Sequence, residues 1–134
     1  MISKKYIPPA ELKLYWEYLR PKLELVLRKS PEQWIPEEIF ADILNGHSTL
    51  WIAFNVDKPI AFIVGQVQKK QTFHLWAGYC DPHIDDYVKW HMIEEIAQKV
   101  RCNKISFGSQ RRGWSRKAKR FGFKPRLYIK ELKE

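Results

Sequence analysis

Two cysteines, Cys80 and Cys102, are all that 134 residues contain. That number is too small for a disulfide scaffold and points to a reducing, cytoplasmic setting. Six glycines and eight prolines exclude a collagenous or low-complexity chain. The longest uninterrupted apolar runs, Leu50 to Phe54 and Pro59 to Gly65, fall far short of the roughly 18 residues a helical span requires, so no membrane association is expected. Met1-Ile2-Ser3-Lys4-Lys5-Tyr6 is basic but has no apolar segment of signal-peptide length behind it, and no lipidation motif stands at either end. Neither an internal repeat nor a Gly/Ser-rich or Pro-rich linker divides the sequence. What is present is enough apolar side chain for one core, with 45% hydrophobic and 14% aromatic residues beside 29% charged ones. A single domain over 1–134 is the expectation.

Negative charge is missing from one region altogether. Residues 103–130 hold ten basic side chains and no Asp or Glu, which leaves 14 basic against 15 acidic residues elsewhere. The formal excess of +9 therefore comes from a C-terminal block whose field attracts polyanions: nucleic acid, a phosphorylated cofactor or an acidic protein surface. A solvated helix face that keeps the chain soluble is the plainer meaning of the same residues.

Apolar spacing supplies the element order. From Pro9 to Lys29, Leu12, Tyr15, Trp16, Leu19, Leu23, Val26 and Leu27 share one helical face, with Pro21 expected to kink or split the helix. Ser30-Pro31 ends it. Pro36 opens a second short helix through Ile39, Phe40, Ile43 and Leu44, stopped at Asn45-Gly46. Thr49 to Asn55, Ile60 to Gln68 and Thr72 to Tyr79 are rich in β-branched and aromatic residues with polar turns between them, the pattern of a three-stranded antiparallel meander. Ile84 to Arg101 returns to helical spacing through Trp90, Ile93, Ala97 and Val100. Lys104 to Gly108 reads as a strand, Arg111 to Phe121 as a basic helix and Pro125 to Leu132 as a last strand. The strand after the central helix can pair parallel to the one before it through a crossover.

This order, closed by Gly113-Trp114 and then Ala118-Lys119-Arg120-Phe121-Gly122-Phe123, resembles the GNAT superfamily of N-acetyltransferases, especially its small versions encoded by tailed bacteriophages. The resemblance implies an α/β (α+β) fold. Its central sheet would be mixed and mainly antiparallel, with two N-terminal helices, one central crossover helix and one basic C-terminal helix. It also implies acetyl-CoA as cofactor, its pyrophosphate held by backbone N–H groups of a Q/R-x-x-G-x-G/A loop that opens the central helix. Here that loop falls in Tyr79-Cys80-Asp81-Pro82-His83-Ile84-Asp85-Asp86. It has no glycine, Pro82 supplies no N–H, and three carboxylates stand where phosphates would lie. Acids in a first helical turn have an independent explanation, since they offset the helix dipole. The tyrosine that often protonates the departing thiolate in the family coincides with Ala118, and the asparagine opening that helix with Arg111. Gln110-Arg111-Arg112-Gly113-Trp114-Ser115 shares letters with the pyrophosphate loop but lies one crossover too late.

Other chemistry is thinly represented. Cys80-x-x-His83 is half of a metal site without a second half, and as a nucleophile pair it has no orienting residue; no metal is expected. His74, between Phe73 and Leu75, is the candidate general base of a GNAT-type cleft, although a strand histidine more often bonds a neighbouring strand. The tryptophans are explained by core packing. Trp114, Ala118 and Phe121 form a stripe that leaves Arg112, Arg116, Lys119 and Arg120 outward.

Two functions follow as expectations. One is a GNAT-fold protein with a degenerate acetyl-CoA site and no cofactor, binding an anionic partner through Arg112, Arg116, Lys119, Arg120, Lys124 and Arg126. The other is an acetyl-CoA-dependent N-acyltransferase that holds its cofactor through Arg111, Arg112 and Lys117, with water or His74 as base.

Overall fold

Hydrophobic alternation along residues 49–80 produces the expected meander, and the strands on either side enlarge it. The computed structural model describes residues 2–29 and 34–107. In chain order these form β1 (Ile2–Ile7), a 3-10 turn (Pro9–Glu11), α1 (Leu12–Lys29), α2 (Pro36–Leu44), β2 (Thr49–Asn55), β3 (Lys58–Gln68), β4 (Thr72–Cys80), α3 (Asp86–Lys99) and β5 (Lys104–Phe107). The strands lie in the order β1-β2-β3-β4-β5. Three junctions are antiparallel, and β5 joins β4 parallel after the α3 crossover. The fold is therefore α+β with a mixed, mainly antiparallel sheet, as the sequence resemblance implies. The expected basic helix and final strand lie outside the described residues.

Two expectations are corrected. The N-terminal residues form a strand, β1, pairing from Ile2↔Asn55 to Ile7↔Leu50, although only Ile7 of its six side chains is buried. Lysines on an unpaired edge discourage strand addition by another chain, which is why the segment lacks a hydrophobic signature. Pro21 does not split α1, which runs unbroken from Leu12 to Lys29. A mid-helix proline costs about 3 kcal/mol. Pro21 sits on the exposed face, while Leu19 and Leu23 on either side are almost wholly buried and each contribute about 1.5–3 kcal/mol. The packing therefore outweighs the break.

The sheet separates two apolar layers. On one face α1 and α2 bury Leu12, Leu19, Leu23, Ile39 and Ile43 against Leu50, Ile52, Phe62 and Val64. On the other, Ile96 and Ala97 of α3 cover Trp51 and Phe73, with Ile63 and Leu75 beside them. Arg20 ties the two N-terminal helices together, pairing with Glu24 on its own helix and with Glu37 at 2.7 Å. Lys4 of β1 reaches Glu95 of α3 at 3.0 Å.

Candidate functional site

Two neighbouring features of β4 create the place where a site can form. The first is a bulge. Val64 pairs with Ala77 and Gly65 with Leu75, so Trp76 is an extra residue on β4, the arrangement that bends a strand and re-aims its side chains. Gly65 is required opposite it: a Cβ there would lie 2.2 Å from Cζ of the fully buried Phe73. The second is a parting of strands. The described part of β5 pairs only with Thr72 to Leu75 of β4, while β4 runs on to Cys80. A cleft of about 450 Å³ opens along this stretch, walled by Trp76, Gly78 and Tyr79 of β4, Trp90 and Ile93 of α3 and Val26 of α1. Trp90 also packs against Phe107, ring centroids 5.7 Å apart.

At the far end of β4 the chain turns into α3, and here the backbone amides are already committed. The Asp81 N–H donates to the Ile60 carbonyl at 3.0 Å, and the Ile84 N–H to the Asp81 carbonyl at 3.1 Å. Ile60 is itself the extra residue of a second bulge, since Ala53 pairs with Ala61 and Phe54 with Pro59. Asp85 caps α3, its Oδ1 accepting the Tyr87 N–H at 2.8 Å. Pro82 has no N–H to offer. Asp86 follows in the first turn and pairs with Lys89 at 3.3 Å. A helix start is an anion site only while its amides point outward at the ligand, and a carboxylate cap is the chain's own substitute for that anion.

The predicted site residues divide accordingly. Arg111, Arg112, Arg116, Lys117, Lys119, Arg120, Lys124 and Arg126 all lie outside the described residues. His74 lies inside them, on β4 ahead of the bulge, its ring facing β5: Nδ1 is 2.8 Å from Ser106 Oγ, and burial pushes its pKa down. Its ring is not among the side chains walling the cleft. Cys80 lines the cleft half-buried, and burial raises its thiol, so it is kept protonated. Among the described residues no group of three or more His, Cys, Asp or Glu side chains is placed to hold a metal, and no helix is long and apolar enough to cross a membrane.

Sequence reasoning missed two groups. One is a polar row at the other end of the sheet: Ser48 bonds Asp42, and the Gln66 amide donates to Asp42 at 3.3 Å and to Ser48 at 3.1 Å. Ser48 is the sole buried polar residue among those described, and Gln66 stands directly across from His74. The other lies where α1 meets the end of β4, around Tyr18 and Tyr79. Neither carries a spacing signature, because both assemble only through strand register and helix packing.

Comparison with known proteins bears on the fold. No family model matches the sequence, and no curated protein is similar to it. Solved structures are similar over the full chain. Ribosomal-protein-alanine N-acetyltransferase from Brucella melitensis biovar Abortus 2308 superposes with a TM-score of 0.70 at 9% identity, over 100% of this chain and 99% of that one. An acetyltransferase from Clostridium acetobutylicum with acetyl-CoA gives 0.67 at 16% identity, over 99% and 96%. A GCN5-related N-acetyltransferase from Ralstonia eutropha JMP134 gives 0.67 at 13% identity, over 98% of each. The chain has the GNAT fold.

Proposed function

We propose that this chain is a GNAT-fold, phage-type binding module whose diphosphate seat has been given over to side-chain capping. Its anionic partner is held by the basic C-terminal segment, through Arg112, Arg116, Lys119, Arg120, Lys124 and Arg126, in the cytoplasm. The observation that carries the first half is the commitment of amides at the turn into α3: those of Asp81, Ile84 and Tyr87 are each bonded within the chain, and Pro82 has none. A diphosphate brought there would also meet the carboxylates of Asp81, Asp85 and Asp86. Like charges a few ångströms apart in a partly shielded site repel by several kcal/mol on the order given by Coulomb's law at intermediate dielectric. The second half rests on the charge block, in which ten basic residues stand without an acid.

The test is a salt series. Binding to a duplex DNA or RNA probe should weaken steeply between low and physiological salt. The double variant Arg116→Ala/Arg120→Ala should lose affinity at every salt concentration while keeping its circular dichroism spectrum. Binding with no salt dependence, or unchanged by that variant, counts against the module.

A second reading has its own observation in favour. The bulge at Trp76 and the cleft beyond it keep room beside β4 for an extended acyl chain, as an N-acyltransferase with an atypical cofactor site requires. Arg111, Arg112 and Lys117 would then hold the acetyl-CoA phosphates in place of the loop amides, with water or His74 as base. Calorimetric binding of acetyl-CoA at micromolar affinity, lost in Arg112→Ala, would decide for it.

A further inference from the structure

Where α1 crosses the end of β4, three rings and a carboxylate come together. Tyr18 meets Phe62 edge-on, centroids 6.0 Å apart at 81°, and Phe62 stacks on Tyr79 at 6.1 Å and 25°. Phe62 and Tyr79 also wall the cleft. The Tyr18 hydroxyl is buried and has no hydrogen-bond partner among the described residues. Phenylalanine would fill the same space without leaving an oxygen unsatisfied, so packing does not account for the hydroxyl. Asp81 follows β4 immediately. Burial first, and then the Asp81 charge, push both the Tyr18 and the Tyr79 phenols upward, which keeps both neutral.

A cation already occupies this corner. Lys22, one turn beyond Tyr18 on α1, places its Nζ 5.8 Å from the Tyr18 ring centroid and 5.4 Å from that of Tyr79. Ring faces carry negative quadrupole charge and attract an ammonium, more so where water is partly excluded. The phenolic oxygens have lone pairs to accept from an N–H⁺ donor, and the nearby carboxylate favours positive charge and repels anions. We infer that this corner of the fold is a site for a linear primary alkylammonium group, at which the chain's own Lys22 stands in for the amine of a bound ligand. The four-carbon stem of lysine sets the ligand's shape: a flexible alkyl chain that enters along the cleft and presents its ammonium to Tyr18 and Tyr79. The inference is independent of the state of the diphosphate seat, since none of its groups belongs to the turn amides.

The test is a titration with n-butylammonium chloride, followed by the NMR signals of the Tyr18 and Tyr79 rings. Lys22→Met removes the internal cation and keeps the apolar stem. That variant should bind about tenfold more tightly than the wild type. Adding Tyr79→Leu to Lys22→Met should reverse the gain, and n-butanol, the uncharged analogue, should leave the ring signals in place. Equal affinity in wild type and Lys22→Met, or equal shifts with n-butanol, would overturn the site. Lys22→Gln provides the same readout should the methionine variant lose helix by circular dichroism.

Discussion

The two ends of the β4 region differ in kind. Along the strand, backbone irregularity makes space: the bulge at Trp76 and the short pairing with β5 leave a cleft lined largely by apolar side chains. At the turn into α3, side chains and carbonyls consume what a ligand would need, with Asp85 on the Tyr87 amide and Ile60 on that of Asp81. The shape of an acyltransferase cleft is thus set by strand register and survives at 9–16% identity to the solved structures it resembles. Anion binding depends on a few local residues and can be lost without any change of fold.

If backbone geometry makes the cleft, Gly65 is where to break it. Gly65→Ala forces a methyl into the Phe73 ring, and a loss of about 3 kcal/mol is expected from overpacking a site with no room to yield, read by urea denaturation. A loss below about 0.5 kcal/mol would mean that the bulge tolerates other packings. The contrast at the turn can be sharpened by reversing it. Pro82→Gly/Asp85→Gly returns an amide and removes the cap, and calorimetry with coenzyme A should show at least about a tenfold gain in affinity over the wild type, equivalent to ~1.4 kcal/mol. Asp85→Ala alone should cost about 1 kcal/mol of stability through the lost cap. Far from both regions, Val56 holds φ +59 in the turn between β2 and β3. Val56→Gly should stabilise by about 1 kcal/mol, because the left-handed region penalises a β-branched side chain.

The smallest effect concerns His74, which fixes the closed end of the cleft through Ser106. Its folded pKa lies below the ordinary histidine value because burial disfavours the charged ring. The unfolded chain therefore takes up a proton first as pH falls, so the stability tied to the neutral ring is present above about pH 6.5 and declines below it, down through the folded pKa. His74→Gln should flatten that part of the stability profile between pH 7 and 5. An unchanged slope would assign the pH dependence to other groups.

Much of this was readable from spacing alone. The stripe Leu12, Leu19 and Leu23 and the set Trp90, Ile93 and Ala97 are the buried faces of their helices, because tertiary burial follows the 3.6-residue period closely. The polar turns placed the meander. β1 escaped because an edge strand with Lys4 and Lys5 has little burial to advertise, and Pro21 misled because local propensity is weaker than packing on both sides. At the site, the absence of glycine and the presence of Asp81, Pro82 and Asp85 were visible in the letters. The specific bonds of the Asp81, Ile84 and Tyr87 amides were not, since they depend on a bulge at Ile60, a turn and a cap that only the folded chain brings together. The Tyr18, Phe62 and Tyr79 cluster comes from three separate elements, so no motif could announce it.

The most direct test is an amide-resolved titration with coenzyme A, following the backbone N–H signals from Asp81 to Lys89. The commitment of these amides predicts that they stay where they are as the coenzyme is added to millimolar concentration. Saturable shifts centred on Ile84 to Tyr87, at micromolar affinity, would show a diphosphate seated at the start of α3 and contradict the account.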